Sequence, residues 1–121
     1  EGKMRCPVHL SIGQEIVSAV FSQIMRKKDY AISSHRGHGH YLSKGGNLNT
    51  MIAEIYGKKT GCSGGKGGSM HLIDLKVGFY HVEISIIYRF STIIKTINFR
   101  KSHGRIMVFD VTVSFLYKVR I

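Results

Sequence analysis

Apolar residues recur every four positions at Ile12, Ile16, Val20 and Ile24, with Val17, Phe21 and Met25 beside them, which is the stripe of an amphipathic helix. Ser11 and Gln14 stand at the S-x-x-Q spacing of a capping box, in which two side chains satisfy the first free backbone N–H groups. The helix is predicted to run to Arg26-Lys27-Lys28, where the macrodipole favours positive charge. Tyr30-Ala31-Ile32-Ser33, short and partly apolar, follows as a predicted buried strand. A second helix is predicted from Leu48, Met51, Ile52 and Ile55, with Asn47 or Asn49 as its cap and Gly57 as its stop. Further on, Val82, Ile84 and Ile86 alternate with polar residues, and Val111, Val113 and Phe115 do the same, the period of strands. Alternating helices and strands predict an α/β chain.

Composition narrows the classes. With 121 residues and 43% hydrophobic, the chain can bury a core. Lys and Arg number 18 against 7 Asp and Glu, a formal charge of +11 that favours anionic partners. Cys6 and Cys62 form no C-x-x-C pair, which argues against a disulfide framework or a cysteine zinc site and fits a reducing cytoplasm. Arg89, Lys95 and Arg100 interrupt the most apolar region, so no bilayer span is expected, and Glu1-Gly2-Lys3-Met4-Arg5 opens no signal-peptide segment.

Candidate chemistry concentrates in Ser34-His35-Arg36-Gly37-His38-Gly39-His40, delivered by the predicted strand to a sheet end, where α/β proteins bind ligands. Arg36 offers a fixed fork of donors for phosphate or carboxylate, and imidazoles that titrate near neutrality stand on both sides of it. The run Gly61-Cys62-Ser63-Gly64-Gly65-Lys66-Gly67-Gly68-Ser69 is too flexible for helix or strand and can form an anion-binding nest of backbone N–H groups. It is not a Walker loop, because Gly67 follows Gly65-Lys66 and Thr60 replaces the first glycine. His35, His38 and His40 without a carboxylate or cysteine companion make a poor metal set.

Cys6 to Glu15, Ser34 to Leu42 and Gly61 to Asp74 occur in the order, and with the long consecutive blocks, of one enzyme family. Over about residues 1–80 the chain resembles the alpha subunit of the thiamine diphosphate-dependent first component of 2-oxo acid dehydrogenase complexes, in its pyruvate and acetoin branch. The resemblance implies a thiamine diphosphate-binding domain, layered α/β/α with a parallel sheet, of which residues 1–80 are the N-terminal part. It implies oxidative decarboxylation or cleavage of a 2-oxo acid or acetoin, with acyl transfer to a lipoyl domain. The partners implied are a beta subunit of the same component and a lipoyl-bearing acyltransferase, with no nucleic acid and no membrane. By position, His9 and His38 match the family's active-site histidines, and His35 and Arg36 match the pair at the cofactor's diphosphate, His35 standing where many members carry tyrosine. Gly61 to Asp74 resembles the family's loop beside the beta subunit.

Residues 81–121 depart from that pattern. Of 14 glycines only Gly104 lies after Gly78. Gly104-Arg105-Ile106-Met107-Val108-Phe109 is similar to the approach to the family's magnesium motif, but Val111 and Thr112 follow Asp110 in place of the flanking glycine. The segment is expected to be a diverged, partly β-rich continuation without the magnesium motif, and a permissible one-base-shifted reading of Tyr88 to Thr92 resembles the family's Gly-Ser-Ile-Pro turn, which suggests a frameshift. The chain is expected to be an incomplete alpha subunit, inactive alone. The alternatives are a small basic module binding RNA or acidic partners, or an inactive degraded copy.

Overall fold

A computed structural model describes residues 3–4, 6–34, 36–81, 106–109 and 117–119. The elements run α1 (Glu15–Ile24), β1 (Tyr30–Ser33), α2 (His38–Ser43), α3 (Leu48–Ile55), β2 (Phe79–His81), β3 (Ile106–Phe109) and β4 (Tyr117–Val119). The sheet has the order β2-β1-β3-β4. Its centre is β1, parallel to β2 with Ala31 opposite Phe79, and parallel to β3 with Ile32 opposite Val108. At the edge, β4 is antiparallel to β3, so the sheet is mixed rather than wholly parallel. The alternating stretches at Val82 to Ile86 and Val111 to Phe115 lie outside the described residues.

The strand and α3 follow the pattern read from sequence. Asn47 is the cap of α3, its side chain accepting from Asn49 N and Thr50 N, and Gly57 after the helix adopts φ +65°. Only a residue without Cβ takes that left-handed turn cheaply. The first helix differs. Its cap is Gln14 with no side-chain bond, and Ser11 Oγ instead donates to the Arg36 carbonyl at 3.4 Å. A tertiary bond has taken the hydroxyl that a capping box needs.

The apolar stripe of α1 also faces the other way. Ile12 is 79% and Ile16 73% exposed, Val20 and Ile24 are exposed as well, and the buried side chains are Phe21 and Ser18. The cause is the close passage of α2: a Cβ on Gly39 would lie 2.5 Å from Ser18 Oγ, so the small face of α1 is the one that can approach. Beyond α1, Arg26 N donates to Asp29 Oδ2 and the guanidinium pairs with Asp29 at 3.3 Å. The cation that meets the departing carbonyls is Lys44, whose buried Nζ donates to Arg26 O and Lys27 O. Burial lowers its pKa while Asp29 opposes.

Phe21, Ala31, Tyr41, Met51, Ile55, Leu72 and Phe79 form the core, drawn from α1, α2, α3, β1 and β2 and, for Leu72, from the loop before β2. Tyr41 meets Phe79 edge to face at 5.4 Å, an arrangement the ring quadrupoles favour. Its hydroxyl donates to Asp74 Oδ2 at 3.0 Å and lies 3.1 Å from Thr50 Oγ1. Burial, opposed by Thr50 and aided by Asp74, pushes that phenol up to about 12. Among the described residues no helix is long and apolar enough to cross a membrane.

Tyr41→Phe should destabilise the fold by about 1–3 kcal/mol, because it removes the donor to Asp74 Oδ2 and one of the two contacts of Thr50 Oγ1 while keeping the ring. Urea unfolding checks it. An unchanged midpoint would mean that the hydroxyl is not a tie between α2, α3 and the 74 turn.

Candidate functional site

The site grows from the carboxyl end of β1. Pairing on both edges fixes β1, and Ser34 to Gly37 lead from it into α2, so the predicted loop is shorter than expected: His38 to Ser43 are helical. Ser34 is buried, and neither its Oγ nor Arg36 Nε, itself buried, has a hydrogen-bond partner among the described residues. Two orphaned donors at a strand end suit an anion from outside the chain. His35, matched to the same role, lies outside the described residues.

The imidazoles are sorted by depth. His40 Nδ1 lies 3.0 Å from Ser33 Oγ, and burial lowers its pKa from 6.5 to about 4. His38 is 8% exposed, its Nε2 2.9 Å from the Oγ of fully buried Ser69. Burial lowers its pKa, the Ser69 main chain opposes that, and the nearby charge of His9 adds to it. His9 and His38, chosen from distant parts of the sequence, are therefore brought within electrostatic reach of each other.

The glycine-rich run is a nest, and its anion is internal. Glu54, at 0% exposure, accepts from Ser63 N and Gly65 N on Oε2 (2.8 Å each) and from Gly67 N and Gly68 N on Oε1 (2.7 and 3.1 Å). The expectation that this loop binds a ligand anion through its N–H groups is corrected: the donors are taken. A Cβ on Gly67 would run into the His71 carbonyl, so the tight course of the loop needs glycine there. Glu54 was missed because an acid near a helix end ordinarily reads as a solvated side chain. The available signal was its position inside an apolar face just before a run of glycines. Among the described residues no three His, Cys, Asp or Glu side chains are grouped to hold a metal ion, and Asp110 lies outside them.

An α/β protein in which an arginine with an open donor follows the end of a central parallel strand, with buried His38 two residues on, has groups that suit an anion there. Its family is more specific. The family model for the dehydrogenase E1 component matches residues 1–101, past the blocks that end near residue 80, and the chain belongs to that family. It is 47% identical over 79 residues to the pyruvate dehydrogenase E1 component subunit alpha of Porphyra purpurea, covering 65% of this chain and 23% of that one. The Rickettsia prowazekii subunit of the same name is 46% identical over 79 residues, 65% of this chain and 24% of that one. The alpha subunit of acetoin:2,6-dichlorophenolindophenol oxidoreductase from Bacillus subtilis is 49% identical over 71 residues, 59% and 21% of the two chains. The chain thus spans about a quarter of the length of these relatives.

Glu54→Ala should destabilise the chain by more than about 3 kcal/mol, since each bond to a charged group contributes about 1.5–3 kcal/mol and the four are not additive. Amide exchange at Gly67 and Gly68 should rise in parallel with the loss of stability. Fast exchange at these two amides already in the unsubstituted chain would show that the nest does not hold them.

Stability should also depend on pH. Between 6.5 and about 4 the unfolded chain carries a proton on His40 that the folded chain refuses. Stability is therefore full above 6.5, falls as pH drops through that interval and levels off below about 4. His38, lowered as well, acts in the same direction. Unfolding midpoints measured from neutral pH down to 4 should show this slope, and His40→Gln should flatten it.

Proposed function

We propose that this chain serves as part of the alpha subunit of a thiamine diphosphate-dependent 2-oxo acid dehydrogenase, cytoplasmic, acting on pyruvate or acetoin and passing the acyl group to a lipoyl-bearing acyltransferase. Family membership and the named relatives support the class. The observation that carries the reading to this site is Arg36 Nε, a buried donor without a partner, in a residue whose permanent charge and forked donors suit a diphosphate. Arg36, with His35, is assigned to that diphosphate, and the domain to the layered thiamine diphosphate-binding fold.

When bound, thiamine diphosphate supplies the electron sink for breaking the bond beside the substrate carbonyl. The chain's own work is to hold and to move protons. Arg36 is fixed against the loop through its carbonyl, which Ser11 Oγ holds. His38, near-buried and kept toward its neutral form, can accept or return a proton at the site without adding a second fixed cation. His9, whose charge acts on His38, is the other proton-handling group. No magnesium ligand set exists among the described residues, so no role is assigned to magnesium in this chain. Ile16, Val20 and Ile24 on α1, and Leu48 and Ile52 on α3, are exposed apolar side chains of the kind that subunits cover, which supports a beta-type partner.

Two quantities test the division of roles in an intact family alpha subunit with the same loop, assembled with its beta subunit. Arg36→Ala should weaken thiamine diphosphate binding by about 1.5–3 kcal/mol, read by calorimetry. His9→Ala should lower turnover by about 10²- to 10⁴-fold with a smaller change in cofactor affinity. Equal losses in both quantities for both variants would overturn the assignment. The chain by itself should bind thiamine diphosphate only loosely and less so with added salt; magnesium-dependent micromolar binding would show a metal site outside the described residues.

A further inference from the structure

We infer that Ser69 is a positioning residue for His38, holding the imidazole in the tautomer that carries its proton on Nδ1 and leaving Nε2 as acceptor. Ser69 Oγ and His38 Nε2 are 2.9 Å apart, both residues are buried, and no other hydrogen bond of the Ser69 hydroxyl exists among the described residues. A hydroxyl has one proton to place. If Nε2 carried the ring proton, Ser69 would accept it and its own O–H would be left buried without an acceptor, at the desolvation penalty of an unmade bond. With the hydroxyl donating to Nε2, the one proton of Ser69 and the lone pair of Nε2 are both used. Nδ1–H is then the ring's free hydrogen-bond donor, and the ring cannot turn over without breaking the bond to Ser69.

Ser69 is itself held on three sides. Its N–H donates to Cys6 Sγ at 3.2 Å, and Cys6 in turn donates to Ile55 O. The two residues before it are bonded through their N–H groups to Glu54. Ile55 and Glu54 both belong to α3. A chain of contacts thus runs from the end of α3 through the glycine-rich loop to one imidazole nitrogen 31 residues away from Ser69 in sequence. The loop that supplies no ligand N–H groups instead sets the proton on His38. This deepens the reading above, on which any use of that proton in catalysis rests; the tautomer itself does not depend on it.

The test needs neither cofactor nor turnover. Long-range ¹H–¹⁵N correlation spectra of the uniformly ¹⁵N-labelled chain, with His38→Gln to assign the ring, should show one tautomer, with a protonated Nδ1 and an unprotonated Nε2. Ser69→Ala should lose that selection, giving averaged ring ¹⁵N shifts, and Ser69→Thr, which keeps the hydroxyl, should restore it. A protonated Nε2 in the unsubstituted chain, or a single unchanged tautomer in Ser69→Ala, overturns the inference. Should Ser69→Ala fail to fold, the unsubstituted spectrum and Ser69→Thr still decide. A correct tautomer together with no thiamine diphosphate binding in the assembled subunit would overturn the functional reading alone.

Discussion

Four peptide N–H groups, those of Ser63, Gly65, Gly67 and Gly68, converge on the side chain of Glu54 at 2.7 to 3.1 Å, and the geometry around β1 depends on that convergence. A fully buried acid is stable only when its oxygens are satisfied, and four main-chain donors satisfy both. The same bonds solve the opposite problem. A segment as rich in glycine as Gly61 to Ser69 has more backbone freedom to lose than any other stretch of the chain, and a single acceptor buried beside α3 selects one course for it. Glycine makes the convergence geometrically attainable, and Glu54 makes it unique.

Order imposed there is passed on by contact. Fixing Gly67 and Gly68 fixes Ser69, and Ser69 meets His38 at the start of α2. From the other side, Lys44 at the end of α2 bonds to the carbonyls that leave α1, while Tyr41 between them ties α2 to Thr50 and Asp74. A helix of only six residues has little stability of its own. It is held by a polar contact at each end and by an aromatic ring in the middle, and so the residues that precede it, Ser34 to Gly37, need no regular structure to be well placed.

Much of this frame was legible in the sequence, for reasons that mark where legibility ends. β1 and α3 are announced by local signals, an apolar run between turns and an asparagine cap with a glycine stop, and both stand within those bounds. Ser11 and the stripe of Ile16, Val20 and Ile24 carried equally good local signals and misled, because the decisive partners are distant: the Arg36 carbonyl claims Ser11, and Gly39 admits α2 only against the small face at Ser18. The site shows the same division. Arg36 and His38 announce themselves by residue type and resemblance. Glu54 and Ser69 do not, since an acid and a serine acquire their roles only from which distant atoms they touch.

Charge sorting explains why a chain of formal charge +11 needs these supports. A site for a dense anion wants a cation that never lets go of its proton, and a site for proton transfer wants groups that do. On the proposed reading, the guanidinium of Arg36 meets the first need. Were the neighbouring imidazoles also charged, they would compete for the same anion and could no longer accept a proton. Burial prevents it, lowering His38 and taking His40 to about 4, and each ring faces a serine hydroxyl, Ser69 or Ser33, that can donate to a neutral nitrogen. Those hydroxyls are neutral, so they direct the rings without restoring the charge that burial removed. A permanent cation after the strand end and imidazoles lowered by burial in the helix that follows are therefore a division of labour written into depth, and the depth is set by the packing of α1 on α2 and of α2 against β1.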